Sequence, residues 1–362
     1  MTPAPPRGSF DNAASITRHA TWHAVPRRGD NMMRSKLSAL LVACLAAVPV
    51  TQALAQDKYP SRPITLIAPY SAGGDSDLAA RNFAAVAQSY LGQPVVVQNK
   101  PGASGIIGSQ LVLQSPSDGY TLLLARTGSQ AILPAVAPSN TKYKWDDFTF
   151  IGMLELNPYG CMVKANSPYT NAEQFLKGLK EKGKGMNFAT AGVATTNDMG
   201  PRLLFDILKL GANSPQQIPF KGNGEATAAL MAGQVDFACG SIGPFMQLIK
   251  HGDLRAMFIT TPERIKDLPN VPTAREAGVQ DMEKITGWSG IFAPSKMPPA
   301  MVEQLWKAVQ DVGKDPKWRR ATEQAGSIPY IIGPDETRKF IKNQFDVYES
   351  IGKSLNMIDK VL

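Results

Sequence analysis

Pro63-Ile64-Thr65-Leu66-Ile67-Ala68-Pro69-Tyr70-Ser71-Ala72-Gly73-Gly74-Asp75-Ser76-Asp77-Leu78-Ala79-Ala80-Arg81 reads as strand, glycine turn and helix. Ile64 to Ala68 is a short apolar run, the pattern of a strand buried on both faces. Gly73 and Gly74 let the backbone turn tightly and leave its N–H groups uncovered. Asp75 or Asp77 caps the helix that follows. That helix puts Leu78, Ala79, Phe83, Val86, Ala87 and Tyr90 on one face and ends at Gly92. Bare amides at a helix start attract anions. Ser71 to Gly74 are therefore expected to grip a carboxylate of a small ligand.

The same unit recurs along the chain. Pro94 to Gln98 is a second strand, and Asn99 to Gly108 a second glycine-rich turn. Thr121 to Ala125 is a third strand, followed by the polar cluster Arg126-Thr127-Gly128-Ser129-Gln130. Strands alternating with helices at this spacing imply a parallel-rich sheet with helices on both faces. The stretch 145–167 reads as a crossing into a second domain. There Thr170-Asn171-Ala172-Glu173 forms a capping box. Met186 to Thr190 leads into the turn Ala191-Gly192-Val193-Ala194-Thr195-Thr196 and a helix from Asn197. Gln217 to Phe220 leads to Lys221-Gly222-Asn223-Gly224, and Val235 to Cys239 to Gly240-Ser241. The tail has one strand with a glycine hinge, Gly287 to Pro294, and the helices Pro298 to Val312 and Asp335 to Leu355. It lacks the strands for a domain of its own, so it is expected to pack back on the first. The expected fold is a two-lobed α/β protein with two hinge crossings. Residues 56–157 form the first lobe, 158–286 the second, and 287–362 return to the first.

Residues 1–55 read as a leader. Met32-Met33-Arg34-Ser35-Lys36 is basic, Leu37 to Val50 is apolar but too short to span a bilayer comfortably, and Ala53-Leu54-Ala55 is a small-x-small cleavage signal. Export with cleavage after Ala55 is expected. The rival lipoprotein site at Cys44 is disfavoured, because Leu45 to Val50 stays apolar where a polar tether belongs. Of the formal charge of +8, the leader holds half: Arg7, Arg18, Arg27, Arg28, Arg34 and Lys36 against Asp11 and Asp30. The rest is mild and scattered, which argues against nucleic acid. Cys161 and Cys239 survive cleavage. Spacing leaves open whether they pair, and two buried free thiols are the favoured reading. His251 is the only histidine beyond the leader, against zinc sites and histidine-based triads. No cofactor and no metal are expected.

Competing motifs fail on detail. Gly102-x-x-Gly105-x-x-Gly108 has the wrong spacing for a dinucleotide and no acid about 20 positions on. Gly352-Lys353-Ser354 has Val347 where a phosphate loop needs its first glycine, and it lies within the last helix. Cys239-Gly240-Ser241-Ile242-Gly243 lacks the first glycine of a nucleophile elbow, with only His251 as base. Asp75 and Asp77 are read as helix caps rather than as a catalytic or metal-binding pair, with the capping acid turned away from the ligand. Trp288 is either core or a wall of the cleft. Lys221 follows a strand end, where α/β sheets place ligands. An exported enzyme would need a base or nucleophile, and Asp77, Lys221 and Ser241 have no visible partner.

The chain resembles the solute-binding proteins of tripartite tricarboxylate transporters, the Bug family. The matching words are Tyr59-Pro60-Ser61-Arg62-Pro63-Ile64, Ala72-Gly73-Gly74 with Asp77 and Ala80-Arg81, and Asn99-Lys100-Pro101-Gly102-Ala103 with Gly105 and Gly108. Asp118-Gly119-Tyr120-Thr121-Leu122-Leu123, Lys221-Gly222, Ala232-Gly233-Gln234-Val235-Asp236, Val271-Pro272-Thr273 and Glu276-Ala277-Gly278 continue the series. The resemblance implies a type II-like periplasmic binding protein that closes on a small carboxylate, and a membrane carrier of one large and one small subunit as partner. It implies that Ser71 to Gly74 hold the ligand, facing Ala191 to Asn197, with Thr127 to Ser129 in the same cleft. The chain departs from the resemblance near Asp198, where many relatives carry a histidine, and at Gly240-Ser241, where many carry an acid. Those departures bear on which ligand is held: a dicarboxylate, a tricarboxylate, an amino acid or an aromatic acid. Tyr70 and Trp288 favour an aromatic ring. The protein is expected to be a monomer and not an enzyme. A receptor that signals rather than transports, or a secreted hydrolase, are the alternatives.

Overall fold

The computed structural model describes residues 59–360; the leader, its cleavage site and Cys44 lie outside them. β1 (Ile64–Ala68) pairs in parallel with both β2 (Val95–Asn99) and β3 (Thr121–Arg126). Its alternation shows why the run is apolar throughout. Ile64, Leu66 and Ala68 face one core and Ile67 the other, and β3 divides Leu122 and Leu124 from Leu123 and Ala125 in the same way. The connecting helices are α1 (Asp75–Leu91) and α2 (Ile106–Leu113). A π-helical turn, Gly128–Ile132, follows β3 and runs into α3 (Leu133–Val136) and α4 (Pro138–Thr141). β4 (Thr149–Asn157) completes this part of the first sheet.

One residue later, β5 (Tyr159–Lys164) lies in a different sheet. α5 (Ala172–Lys182) follows. Its cap is Asn171, whose side chain accepts the Gln174 N–H at 2.9 Å, so the capping pair sits one residue beyond Thr170–Glu173. Then come β6 (Asn187–Thr190), α6 (Thr196–Ile207), β7 (Gln216–Pro219), α7 (Asn223–Ala232), β8 (Phe237–Ser241), α8 (Met246–His251) and β9 (Leu254–Ile259). β10 (Gly287–Ala293) returns to the first sheet, followed by α9 (Pro299–Lys314), α10 (Pro316–Gln324), β11 (Ile328–Pro329) and α11 (Pro334–Ser354). The sheet orders are β11-β4-β10-β3-β1-β2 and β7-β6-β8-β5-β9. The chain is thus a two-lobed α/β protein.

Both sheets are mixed. β10 runs antiparallel between β3 and β4, and β5 antiparallel between β8 and β9. Each of these strands enters from the other lobe rather than over a helical crossover, so nothing forces it parallel. β5 also settles the cysteines, and against free thiols. It places Cys161 directly opposite Cys239 on β8, and the two form a disulfide with a Cα–Cα distance of 4.0 Å. Among the described residues no helix is long and apolar enough to cross a membrane, and no group of three or more His, Cys, Asp or Glu can hold a metal ion.

Candidate functional site

The loop from β1 to α1 and the loop from β6 to α6 are built alike. Each turns through a left-handed residue, Gly73 at φ 81° and Ala194 at φ 53°. In each, that residue's N–H donates to an aspartate four positions on: Gly73 to Asp77 Oδ2 at 3.1 Å, Ala194 to Asp198 Oδ2 at 2.8 Å. In each, an arginine four positions further holds the acid. Arg81 Nε lies 3.0 Å from both oxygens of Asp77, and Arg202 Nε 2.6 Å from Asp198 Oδ1. The helices begin just after, with Gly74 and Thr195 as their caps. The first amides of a helix have no intrahelical acceptor, so this device stiffens two loops at whose ends anion-seeking N–H groups stand.

The two pinned acids sit in opposed environments. Burial pushes the Asp77 carboxyl up, but hydrogen bonds from Arg81, Gly73 and Asn99 outweigh it and hold it below its ordinary value. Burial pushes Asp198 up, and the Arg202 charge and Ala194 N–H only partly oppose it. A depressed acid stabilises the fold above its unfolded pKa, and that contribution is lost as pH falls through the folded value; a raised acid stabilises most below its unfolded pKa and loses this as pH rises. Asp77→Asn is therefore expected to cost about 1–2 kcal/mol at pH 7, with the deficit shrinking below about pH 4. For Asp198→Asn the deficit shrinks instead as pH rises from 4 to 7. Urea titrations of both variants and the parent between pH 3 and pH 7 measure this; parallel trends for the two would refute it.

The two loops border one small cavity of about 30 Å³. Tyr70, Ser71, Gly74, Thr127, Gly128, Ala191, Thr195, Thr196 and Asn197 line it, as do Asp75, Arg126 and Asn223. The lobes touch across it. Ser104 Oγ donates to the Val193 carbonyl at 2.7 Å, and Asn223 Nδ2 to Asp75 Oδ1 at 3.1 Å. A Cβ at Gly222 would lie 2.2 Å from Ser71 Oγ, a buried hydroxyl with no partner among the described residues. Larger grooves, of about 710 and 650 Å³, lie elsewhere, and neither has helix starts facing each other.

The remaining residues singled out from the sequence stand off the cavity. Ala72 and Gly73 are exposed, with their carbonyls beside Gly224 of the opposite lobe rather than on the cavity. On the opposite loop Gly192 and Val193 meet Ser104 of the first lobe, the Ala194 N–H is taken by Asp198, and Asp77 is turned to Arg81. Ser129 is fully buried behind Arg126, its carbonyl accepting the Tyr143 hydroxyl at 2.6 Å. Lys221 is exposed, and its backbone N–H is taken by Glu225 at 3.1 Å. Ser241 is buried at the end of β8. Trp288 is core, fully buried against Phe292. It reaches the site only through its backbone, whose N–H donates to Thr127 Oγ1 at 2.9 Å.

Asp75 is not an outward-turned cap. Its Oδ1 accepts the Ser76 N–H and the Asn223 amide, both at 3.1 Å, and its Oδ2 pairs with Arg126 Nη2. Arg126 Nη1 turns to Ser289 Oγ, with Glu155 Oε1 at 4.0 Å. On the far side, Asn223 Oδ1 accepts from Asn197 Nδ2 at 2.7 Å. A polar chain thus runs from Glu155 through Arg126, Asp75 and Asn223 to Asn197, from one lobe to the other. One signal for it was present in the sequence: Arg126 ends an otherwise apolar buried strand, where a charge needs a partner.

The model of the family described as "Tripartite tricarboxylate transporter family receptor" matches residues 79–357. The "UPF0065 protein in the TAR-I ttuE-ttuC' intergenic region" of Agrobacterium vitis is 32% identical over 304 residues, covering 84% of this chain and 86% of that protein. Among solved structures, the periplasmic binding protein BugD superposes with a TM-score of 0.78 at 29% identity, covering 83% of this chain and 99% of that one. MatC from Rhodopseudomonas palustris, with bound malate, gives 0.75 at 28% identity, covering 81% and 100%.

Proposed function

Because the chain belongs to the tripartite tricarboxylate transporter receptor family, the Bug family of solute-binding proteins, we propose that it captures a small carboxylate between its lobes and delivers it to a membrane carrier. The observation that carries this reading is the pair of pinned loops, each leading into a helix start on one side of a single cavity. The malate bound by MatC, a relative of matching fold, supports a carboxylate as the guest. In this reading the protein acts in the periplasm after cleavage behind Ala55, as a monomer. Its partners are the large and small membrane subunits of a tripartite transporter, and its guest leaves chemically unchanged.

Energetics require both lobes. Desolvating an unpaired carboxylate costs several kcal/mol, while each charged hydrogen bond returns about 1.5–3 kcal/mol net. Micromolar capture needs about 8 kcal/mol, more than one loop supplies. Donors would come from the amides of Gly74, Asp75, Thr196 and Asn197 and from the hydroxyls of Ser71, Thr127 and Thr196; the Thr195 hydroxyl is already given to the Gly192 carbonyl at 2.9 Å. The cavity is too small in this closed form for more than a water-sized guest, so entry requires the lobes to part.

Gly222→Val tests the closure. Gly222 has extended backbone at φ 177°, which valine adopts freely, so the substitution acts through its side chain against Ser71. A wedge there is expected to weaken carboxylate binding by about tenfold or more, the equivalent of one charged hydrogen bond, with little change in melting temperature. Calorimetric titration alongside small-angle scattering reads both. Unchanged affinity and unchanged dimensions would refute closure. Uptake of the identified acid by a strain lacking the gene separates transport from sensing.

A further inference from the structure

We propose that the cleft selects an acid that also carries an ammonium group, and that the Asp75 carboxylate receives that group. This rests on the carboxylate reading above and narrows it. An ionised carboxylate offers about four lone-pair sites. Three of those on Asp75 are used, by Ser76, Asn223 and Arg126, which leaves one unused on a side chain that lines the cavity.

The charge balance favours the same guest. α1, α6 and α7 all begin at the cavity, through Gly74 and Asp75, Thr195 to Asn197, and Asn223. Each helix start is worth about half a positive charge. With Arg126 alone added, the cleft would present about +2.5, a match for a di- or tricarboxylate. Asp75 stands in the wall, and Glu155 stands directly behind Arg126. The two acids bring the balance down to about +0.5. They also occupy the guanidinium: one face is turned to Asp75 and the other to Ser289 and Glu155. A bare dicarboxylate would therefore meet Asp75 with no cation free to shield it. An amino acid, neutral or with one net negative charge, meets the helix starts with its carboxylate and Asp75 with its ammonium.

The test is isothermal titration of the purified protein with three matched pairs: succinate and aspartate, glutarate and glutamate, propionate and alanine. Within each pair only the α-ammonium differs. In at least one pair the amino acid is expected to bind about tenfold tighter or more than its partner, the ratio one charge-assisted hydrogen bond supports. Asp75→Asn should reduce that ratio to about threefold or less. The inference is overturned, with the carboxylate reading intact, if the amine-free acids bind as well as the amino acids, or if Asp75→Asn leaves the ratio unchanged. Citrate and benzoate complete the set: if either binds while none of the six does, the inference is overturned and the carboxylate reading stands, and if none of the eight binds, the carboxylate reading itself falls and takes the inference with it. Should Asp75→Asn fail to fold, the contrast within the wild-type pairs decides alone.

Discussion

Replacing Arg126 by methionine is expected to lower the unfolding free energy by about 3–5 kcal/mol at pH 7.5, the range for stranding a buried charge. The side chain is 7% exposed, and its partners Asp75 and Glu155 are 16% and 4% exposed. Methionine fills similar space but leaves both acids without their cation. The pH dependence makes the test specific. Burial pushes Glu155 above its ordinary value of 4.5; Arg126, Asn157 and Ser289 pull it back, and Asp75 adds to the rise. A raised acid stabilises fully below its unfolded pKa, and this is lost as pH rises through the folded value. Without Arg126 the folded value climbs further, so the variant's deficit should grow between pH 5 and pH 8. Guanidinium titrations at both ends measure it. A deficit under about 1 kcal/mol, or one flat with pH, would show that the buried cluster does not depend on its cation.

Removing the disulfide is expected to cost nearly as much. Cys161 and Cys239 are 78 residues apart, and for a loop of that length the chain-entropy account gives about 4.5 kcal/mol. The Cys161→Ala, Cys239→Ala double variant should therefore melt well below the parent. Both cysteines are fully buried in the middle of their sheet. Reductant added to the folded protein should leave its melting curve unchanged, while reductant added during unfolding should block recovery of the parent stability. Peptide mapping without reduction identifies the linked pair. A double variant within about 1 kcal/mol of the parent would show that strand pairing already constrains this region.

The sequence displayed some of this and hid the rest, for physical reasons. Ile64 to Ala68 and Thr121 to Ala125 announced themselves because a strand buried on both faces must be apolar throughout. The turns at Gly73-Gly74 and at Ala191 to Thr196 were visible as interruptions between such strands and helices. The direction of β5 and β10 was not visible, because a side-chain period of two is the same for parallel and antiparallel neighbours. The Cys161–Cys239 pairing depended on that direction and was hidden with it. α10, absent from the expected tail, carries a start signal in Asp315-Pro316, a cap followed by proline at the first helical position, and Asp315 does accept the Lys317 N–H at 2.7 Å.

In the cavity wall, local sequence misled in one place. Asp75 looked like a cap because acids before helices usually are, yet beyond the adjacent Ser76 N–H its partners are Arg126, 51 positions away, and Asn223, 148 positions away. Contacts at such separations leave no local pattern. The repeated device has a sequence signature of its own: Asp77 with Arg81 and Asp198 with Arg202 are both acid–arginine pairs at helical spacing, each placed after a glycine-bearing turn. Trp288 was undecided between core and wall because burial in an apolar cluster and stacking on a ligand demand the same residue type.

A crystal structure of the protein with its tightest-binding acid tests the two-lobe claim most directly. The account predicts carboxylate oxygens within hydrogen-bonding distance of amides from both helix starts, Gly74–Asp75 on one lobe and Thr196–Asn197 on the other. An acid held by one lobe alone, or seated in the groove beside Phe205 and Met357, would contradict it.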